Sequence, residues 1–320
     1  MDAEMIFMAV GFLFAGYSVI GNDSIQTLGT FLASNEKRPW WVLWLFAGSI
    51  LAATLLYGWY ANAGDVSYGR LSKYPLPEPF YWFYLLPPLI LMIITRFGIP
   101  VSTSFMILTF FNPKNLYDMV AKSLMGYVVA LFVGGVVYFI VSRALEKRFI
   151  ENPIQDRHRP YFVALQWLST AFLWSMWLIQ DFANIYVYLP RELSNTWMFL
   201  SLGALLGMLG IIFYLRGGSI QQIVKSKTNT TDIRSATIID FLFALILLFF
   251  KEINDVPMST TWVFIGLLAG RELTLRYRLN KRVDNDALRN VALDLGKVFF
   301  GLFVSIALVF IVKWLSSFTV

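Results

Sequence analysis

The sequence predicts an all-α, polytopic membrane protein made of two inverted repeats of about five membrane segments each, some of them broken or re-entrant helices. Three observations lead there. Of 320 residues, 58% are hydrophobic and only 14% charged, against about 25% charged in an ordinary soluble domain. Apolar runs long enough for helical spans recur along the chain. Two polar motifs, each rare at such depth, occur twice at nearly the same spacing.

Composition also excludes chemistry. With no cysteines, disulfides and thiolate metal sites are ruled out. The single histidine, His158, lies among charged neighbours in IQDRHRP and reads as a loop residue, so a histidine-based catalytic centre has no support. No nucleophile constellation accompanies the acidic residues, and the chain is not expected to be an enzyme. The beginning MDAEMIF is acidic where a cleaved signal peptide is basic, so the first apolar run is expected to be retained. A basic face interleaved with aromatics, as nucleic-acid binding requires, is absent, and no nucleic-acid partner is expected.

Spans are expected near 3–21, 40–60, 79–96, 119–142, 161–180, 196–215, 236–253 and 298–318. Polar or Gly/Pro-rich turns such as NAGDVSYGRLSKYPLPEP (62–79) separate them. Two segments are shorter: VSTSFMILTFF (101–111) and STTWVFIGLLAG (259–270). Tryptophans such as Trp40, Trp41, Trp44 and Trp59 suit the membrane interface. Gly134-Gly135 and the Gly203–Gly207 pair suit close helix packing.

Those two short segments begin alike, GIPVSTS (98–104) and DVPMSTT (255–261). NDSIQT (22–27) likewise lies over QDFANI (180–185), pairing Asp23 with Asp181 and Gln26 with Asn184. The motifs keep their mutual distance in both copies, which points to a tandem duplication. The first repeat is placed at 1–142, a basic linker at 143–160 and the second repeat at 161–320. An odd number of segments per half inserts the second half upside down. Basic loops favour the cytoplasm, which puts the linker there and both termini outside. The protein is therefore expected to be an integral, multi-pass protein of a plasma or inner membrane, with the lipid bilayer as its surroundings.

The duplicated motifs offer opposite chemistry. An ionisable residue at membrane depth costs about 2.5–3.5 kcal/mol on insertion scales, so matched aspartates need partners or ions. Asp23 and Asp181 could cap following helices. Paired with an amide at helical spacing of three, they instead supply hard oxygen ligands. Asn22, Asp23, Gln26, Gln180, Asp181 and Asn184 are the candidate cation-binding residues, with sodium at Asp23 and Asp181, or a proton. Pro100 and Pro257 suit a first helical turn, after which free N–H groups and the hydroxyls of Ser102, Thr103, Ser104, Ser259, Thr260 and Thr261 suit an anion. The same hydroxyls could merely cap their helices. Arg96 and Asp255 stand just before these segments, at the interface or on the permeation path.

At these residues the sequence resembles the inorganic phosphate transporter (PiT) family of sodium/proton–phosphate symporters, which includes related sulfate permeases. That family carries Gly-Ala-Asn-Asp-x-x-Asn followed by Gly-Thr, and Pro-Val-Ser-Thr-Thr-His, in each of two inverted repeats. Here GNDSIQTLGT keeps Asn22, Asp23, Gly29 and Thr30, and QDFANIYVYLP keeps Asp181, Ala183 and Asn184. Pro100-Val101-Ser102-Thr103 matches, and Pro257-Met258-Ser259-Thr260-Thr261 nearly does. Phe105 and Trp262 stand where the family has histidines, and Gln26 and Gln180 replace asparagines, as in a divergent member. The resemblance implies phosphate held between the Ser/Thr helix starts, with sodium near the aspartates and amides; a homodimer is compatible with it.

The function expected is a secondary active transporter symporting inorganic phosphate with sodium, or protons, by alternating access. It needs no cofactor beyond those coupling ions. Sulfate or a related oxyanion is the alternative substrate. A non-transporting sensor, docking a partner through the basic segment 271–297, is the alternative of a different class.

Overall fold

The computed structural model describes residues 3–96, 101–141, 154–155, 157–216, 232–253, 257–280 and 285–316, without the side chains of 24–26, 95, 96, 141, 279, 280, 285–287, 312, 313, 315 and 316. Pro100, Asp255, most of the linker and the side chains of Gln26 and Arg96 thus lie outside the described residues. Helices α1 (Ala3–Ser34), α2 (Trp40–Ala61), α3 (Leu86–Arg96), α4 (Thr103–Phe111) and α5 (Leu116–Val141) come from the first half of the chain. The second half gives α6 (Arg159–Tyr186), α7 (Asn195–Tyr214), α8 (Ile233–Ile253), α9 (Thr260–Asn280) and α10 (Asn285–Ser316). No strand occurs among the described residues. Among the described residues, seven helices are long and apolar enough to cross a membrane, so the protein is an integral, multi-pass membrane protein.

Four segments differ from the sequence expectation. Residues 79–96 do not form one span. Prolines at 75, 77 and 79 keep the chain non-helical, a short 3₁₀ turn follows (Trp82–Leu85), and α3 has only 11 residues. The segment at 259–270 is instead the start of a 21-residue helix. Its charged continuation, RELTLRYRLN, stays helical against α5 and carries a Glu272–Arg276 pair at i,i+4 spacing, 3.8 Å apart. Helix α1 does not stop at the polar cluster of residues 22–27 but runs through it for 32 residues, about 48 Å. Similarly, α10 begins at Asn285, ahead of the apolar stretch.

The loops fix which ends lie together. Asn112, closing α4, and Asn115 both donate to the Lys73 carbonyl, at 2.7 and 3.2 Å. Arg191, after α6, donates to Tyr74 O at 2.7 and 2.9 Å, and Glu4, opening α1, accepts from Phe80 N. The start of α1, the 62–80 loop, the end of α4 and the 187–194 loop therefore share one face of the bundle, the near face. At the far face, Arg216, after α7, donates to the carbonyls of Glu36 and Arg38 after α1, and Arg38 stands over Trp167 of α6.

Helix α3 enters from the near face and α4 returns to it, so the pair is a re-entrant hairpin. The nine residues of α4 span about 14 Å, which sets Thr103 near the middle of a hydrocarbon layer about 30 Å thick. Helix α9 starts at similar depth: Ser259 N donates to Ser123 Oγ, 2.8 Å away, two turns into α5.

Helix partners follow a reciprocal scheme. The last helix of each half packs along the Ser/Thr-led helix of the other, α5 on α9 and α10 on α4; α3 packs on α1, and α8 on α6. Contacts of α5 and α9 advance in step, from Ser123–Ser259 to Leu131–Gly270 and Phe139–Arg278, so the two run parallel. Val101–Gly301 and Met106–Ser305 do the same for α4 and α10. The close approach on α9 requires glycine. A Cβ at Gly266 would lie 2.4 Å from Tyr127 O, and one at Gly270 2.1 Å from Leu131 O. Gly134 packs as expected, its would-be Cβ 2.6 Å from Leu267 O, whereas Gly203 and Gly207 meet nothing within 4 Å and pack against no neighbour among the described residues.

Candidate ion-binding site

Asn22 and Asp23 project from the middle of α1; Gln180, Asp181 and Asn184 lie within two turns of α6. All five are buried, Asp181 and Asn184 with no exposed surface at all. Neither aspartate caps a following helix, since both stand well inside long helices. Their partners come from the start of α4. Thr103 Oγ1 donates to Asp23 Oδ2 at 2.6 Å. Asn22 Nδ2 donates to Asp23 Oδ1 at 2.7 Å and to Val101 O at 3.1 Å, which fastens the extended residue leading into α4 to α1. Asp23 and Asp181 are close enough to repel, and the buried Arg70, from the 62–79 loop, attracts Asp181.

The amide three residues after Asp181 acts on the same face, as its spacing predicts. Asn184 Nδ2 donates to Asp181 Oδ1 at 2.6 Å, and also reaches Thr103 Oγ1 and Ser104 Oγ, each at 3.1 Å. Ser104 Oγ lies 3.2 Å from Met258 O, its acceptor, and 3.5 Å from Asp181 Oδ1. Met258 belongs to the segment that opens α9. One side chain thus joins the two Ser/Thr stretches directly, while Thr260 faces Asp181 from the α9 side.

The hydroxyls divide into two groups. Ser102 and Ser259 are helix caps: Ser102 Oγ accepts from Phe105 N and Ser259 Oγ from Trp262 N, each at 3.3 Å. A capping serine accepts with a lone pair and keeps its own proton to donate. Thr103 and Ser104 already donate to oxygens of the protein. All six hydroxyl residues, Thr261 included, are buried. The site is a buried cluster at mid-depth where helices α1, α4, α6 and α9 converge.

Three acceptor oxygens of α6 have no hydrogen-bond partner among the described residues: Gln180 Oε1, Asp181 Oδ2 and Asn184 Oδ1. Gln180 is held by its other end, Nε2 donating to Leu247 O on α8 at 3.1 Å. Buried oxygens are normally satisfied, and carboxylate and amide oxygens are the donor set of a hard cation. The buried Trp262 Nε1–H, on α9, has no acceptor among the described residues. It is an anion-compatible donor that sequence reasoning passed over, although an indole at a histidine position retains a ring N–H.

Sequence reasoning also passed over Asp240 of α8, buried and held by Thr30 Oγ1 at 2.7 Å and Thr170 Oγ1 at 2.8 Å. It links α1, α6 and α8 in one polar contact. A single aspartate in an apolar run is its only signal, with no second copy to draw attention to it.

No protein-family model matches the sequence, and a search of curated proteins returns no significant match. The fold does match a solved structure described as "The sodium-dependent phosphate transporter", with a TM-score of 0.66. The match covers 98% of this chain and 100% of that one at 18% identity. Across its whole length, the chain has that protein's fold.

Proposed function

We propose that the protein is a secondary active transporter that symports inorganic phosphate with sodium, or with protons, by alternating access. The observation that carries this reading is the meeting of the Ser/Thr-led starts of α4 and α9 beside Asp23 and Asp181, through the Ser104–Met258 contact of 3.2 Å. The likeness to a sodium-dependent phosphate transporter in fold supports it. In this reading the halves 1–142 and 161–320 are inverted repeats, which the reciprocal packing of α5 on α9 and α10 on α4 supports, and the far face is cytoplasmic.

The chain's own residues supply the coupling. A phosphate stripped of water needs several donors, and two helix N-termini provide free N–H groups and favourable dipoles. Ser102 and Ser259 hydroxyls, and the Trp262 indole, add donors that point to an anion without giving up their structural bonds. Thr103 has one proton, which Asp23 holds. A cation at Asp23 weakens that claim and frees the hydroxyl to turn to the anion. The three unpartnered oxygens of Gln180, Asp181 and Asn184 serve a second cation. Cations placed there also remove the repulsion that two carboxylates would exert on phosphate, so each ion favours binding of the other.

Uptake of labelled phosphate into proteoliposomes, with and without an inward sodium gradient, tests the proposal. Sodium-dependent uptake is expected, and a proton gradient is the second arm. Absence of gradient-dependent uptake of any oxyanion would overturn it. Competition by sulfate distinguishes the two tetrahedral anions.

A further inference from the structure

We propose that the far face carries a binding site for one anionic phospholipid, between the end of α1 and the first turns of α6. A groove of about 560 Å³ lies there, lined by Arg38, Arg159, Pro160, Val163, Ala164 and Trp167. That volume is within the range of small-ligand sites, about 300–1,000 Å³.

The lining divides by chemistry. Arg38 and Arg159, both exposed, form a charged rim; along α6 the exposed Pro160 and Ala164 and the half-buried Val163 and Trp167 make an apolar floor. This is the polarity of a lipid molecule, an anionic head above an alkyl chain. A basic pocket between membrane helices is a known way to hold such head groups.

Arg38 is pre-positioned. Its guanidinium stacks over the Trp167 ring at 5.3 Å and its Nε donates to Asn35 Oδ1 at 3.2 Å. Trp167 in turn donates from Nε1 to Asn35 Oδ1 at 3.3 Å. Neither bond occupies the terminal nitrogens of Arg38, which leaves a fork suited to a phosphodiester. The rim is basic beyond these two: Arg157 and His158 precede Arg159, and Arg216 binds the carbonyl of Arg38. Of the nearby acids, Asp232 is taken by Arg234 at 2.6 Å. On the lipid side the same stretch of α6 exposes Tyr161, Leu165 and Leu168, so the groove opens towards the bilayer.

A free anion would use the arginines alone, whereas a phospholipid uses both rim and floor. This inference depends on the embedding in a membrane and not on the transport reading. The test is native mass spectrometry of the full chain, extracted from vesicles of phosphatidylcholine with and without phosphatidylglycerol. The wild type is expected to retain phosphatidylglycerol in preference to phosphatidylcholine. Arg38→Gln with Arg159→Gln should reduce that retention on the order of tenfold, and Arg289→Gln, at an exposed position opening α10, should not. Ala164→Trp, which fills the floor and leaves both arginines, should also reduce it. Equal retention of the two lipids by the wild type overturns the proposal. So does undiminished retention by the double arginine variant or by Ala164→Trp, or displacement of the bound lipid by inorganic phosphate.

Discussion

Phe105 and Trp262 meet edge to face, with ring centroids 5.6 Å apart and planes at 86°. Each stands three residues after a serine that caps its helix, and each backbone N–H is the one that serine accepts, at the same 3.3 Å. Two segments separated by more than 150 positions thus repeat the same local geometry and touch through it. The pair puts an aromatic lid next to the hydroxyl cluster, with the indole N–H as its polar edge.

Trp262→Phe keeps a ring against Phe105 and deletes that N–H. A lost donor to a bound anion costs about 1–3 kcal/mol, or roughly 5- to 150-fold. The expected outcome is a rise of that order in the KM for phosphate with sodium dependence retained, read from uptake at saturating sodium. An unchanged KM would remove the indole from the anion site.

Thr103→Val removes the proton shared between Asp23 and the site while keeping side-chain shape. Because Thr103 bonds Asp23 at 2.6 Å and Asn184 at 3.1 Å, the sodium requirement should change more than the phosphate KM. A shift of roughly tenfold in the sodium concentration for half-maximal uptake is expected. If the curve against sodium does not move, Thr103 plays no part in coupling.

Gly270→Ala tests the packing of α9 on α5. Its Cβ would stand 2.1 Å from the Leu131 carbonyl, a backbone atom that cannot swing aside. Overpacking of this kind costs typically about 1–3 kcal/mol or more, so a lower melting temperature in detergent is expected. Gly203→Ala, where nothing lies within 4 Å, should melt as the wild type does.

Arg191→Ala should loosen the near face. Its guanidinium donates to the carbonyls of Tyr74, Val187 and Leu189 at 2.7–3.1 Å. Burial lowers its pKa to about 10, against an opposing pull from Asp65. The group therefore remains charged at neutral pH, and the clamp should not weaken between mildly acidic and mildly basic conditions. A loss of about 2–3 kcal/mol is expected on truncation, measured by thermal unfolding; Arg191→Lys should fall between.

Much of the site was legible because duplication doubles weak signals. Asp23 with Asp181 and Ser102 with Ser259 are unremarkable singly, but their repeated spacing marked them together. The long spans read directly from hydropathy. Residues 79–96 did not, because an apolar run broken by prolines has the composition of a span without its backbone. The length of α9 was hidden for the opposite reason: its last turns are charged, and they stay helical where they pack on α5. Asp240 and Arg70 have no second copy and no local pattern. Their positions depend on which helices the fold brings alongside, as with Thr30 and Thr170.

The re-entrant α3–α4 pair rests on a helix from the far end of the sequence, and α9 rests on one from the first half. Neither half can therefore mature alone. The chain emerging first must wait, with α3 held only by α1 and α4 lacking the helix it packs along, until α10 has been inserted. Two separately expressed fragments, 1–142 and 161–320, should be degraded singly and survive only when made together in the same membrane.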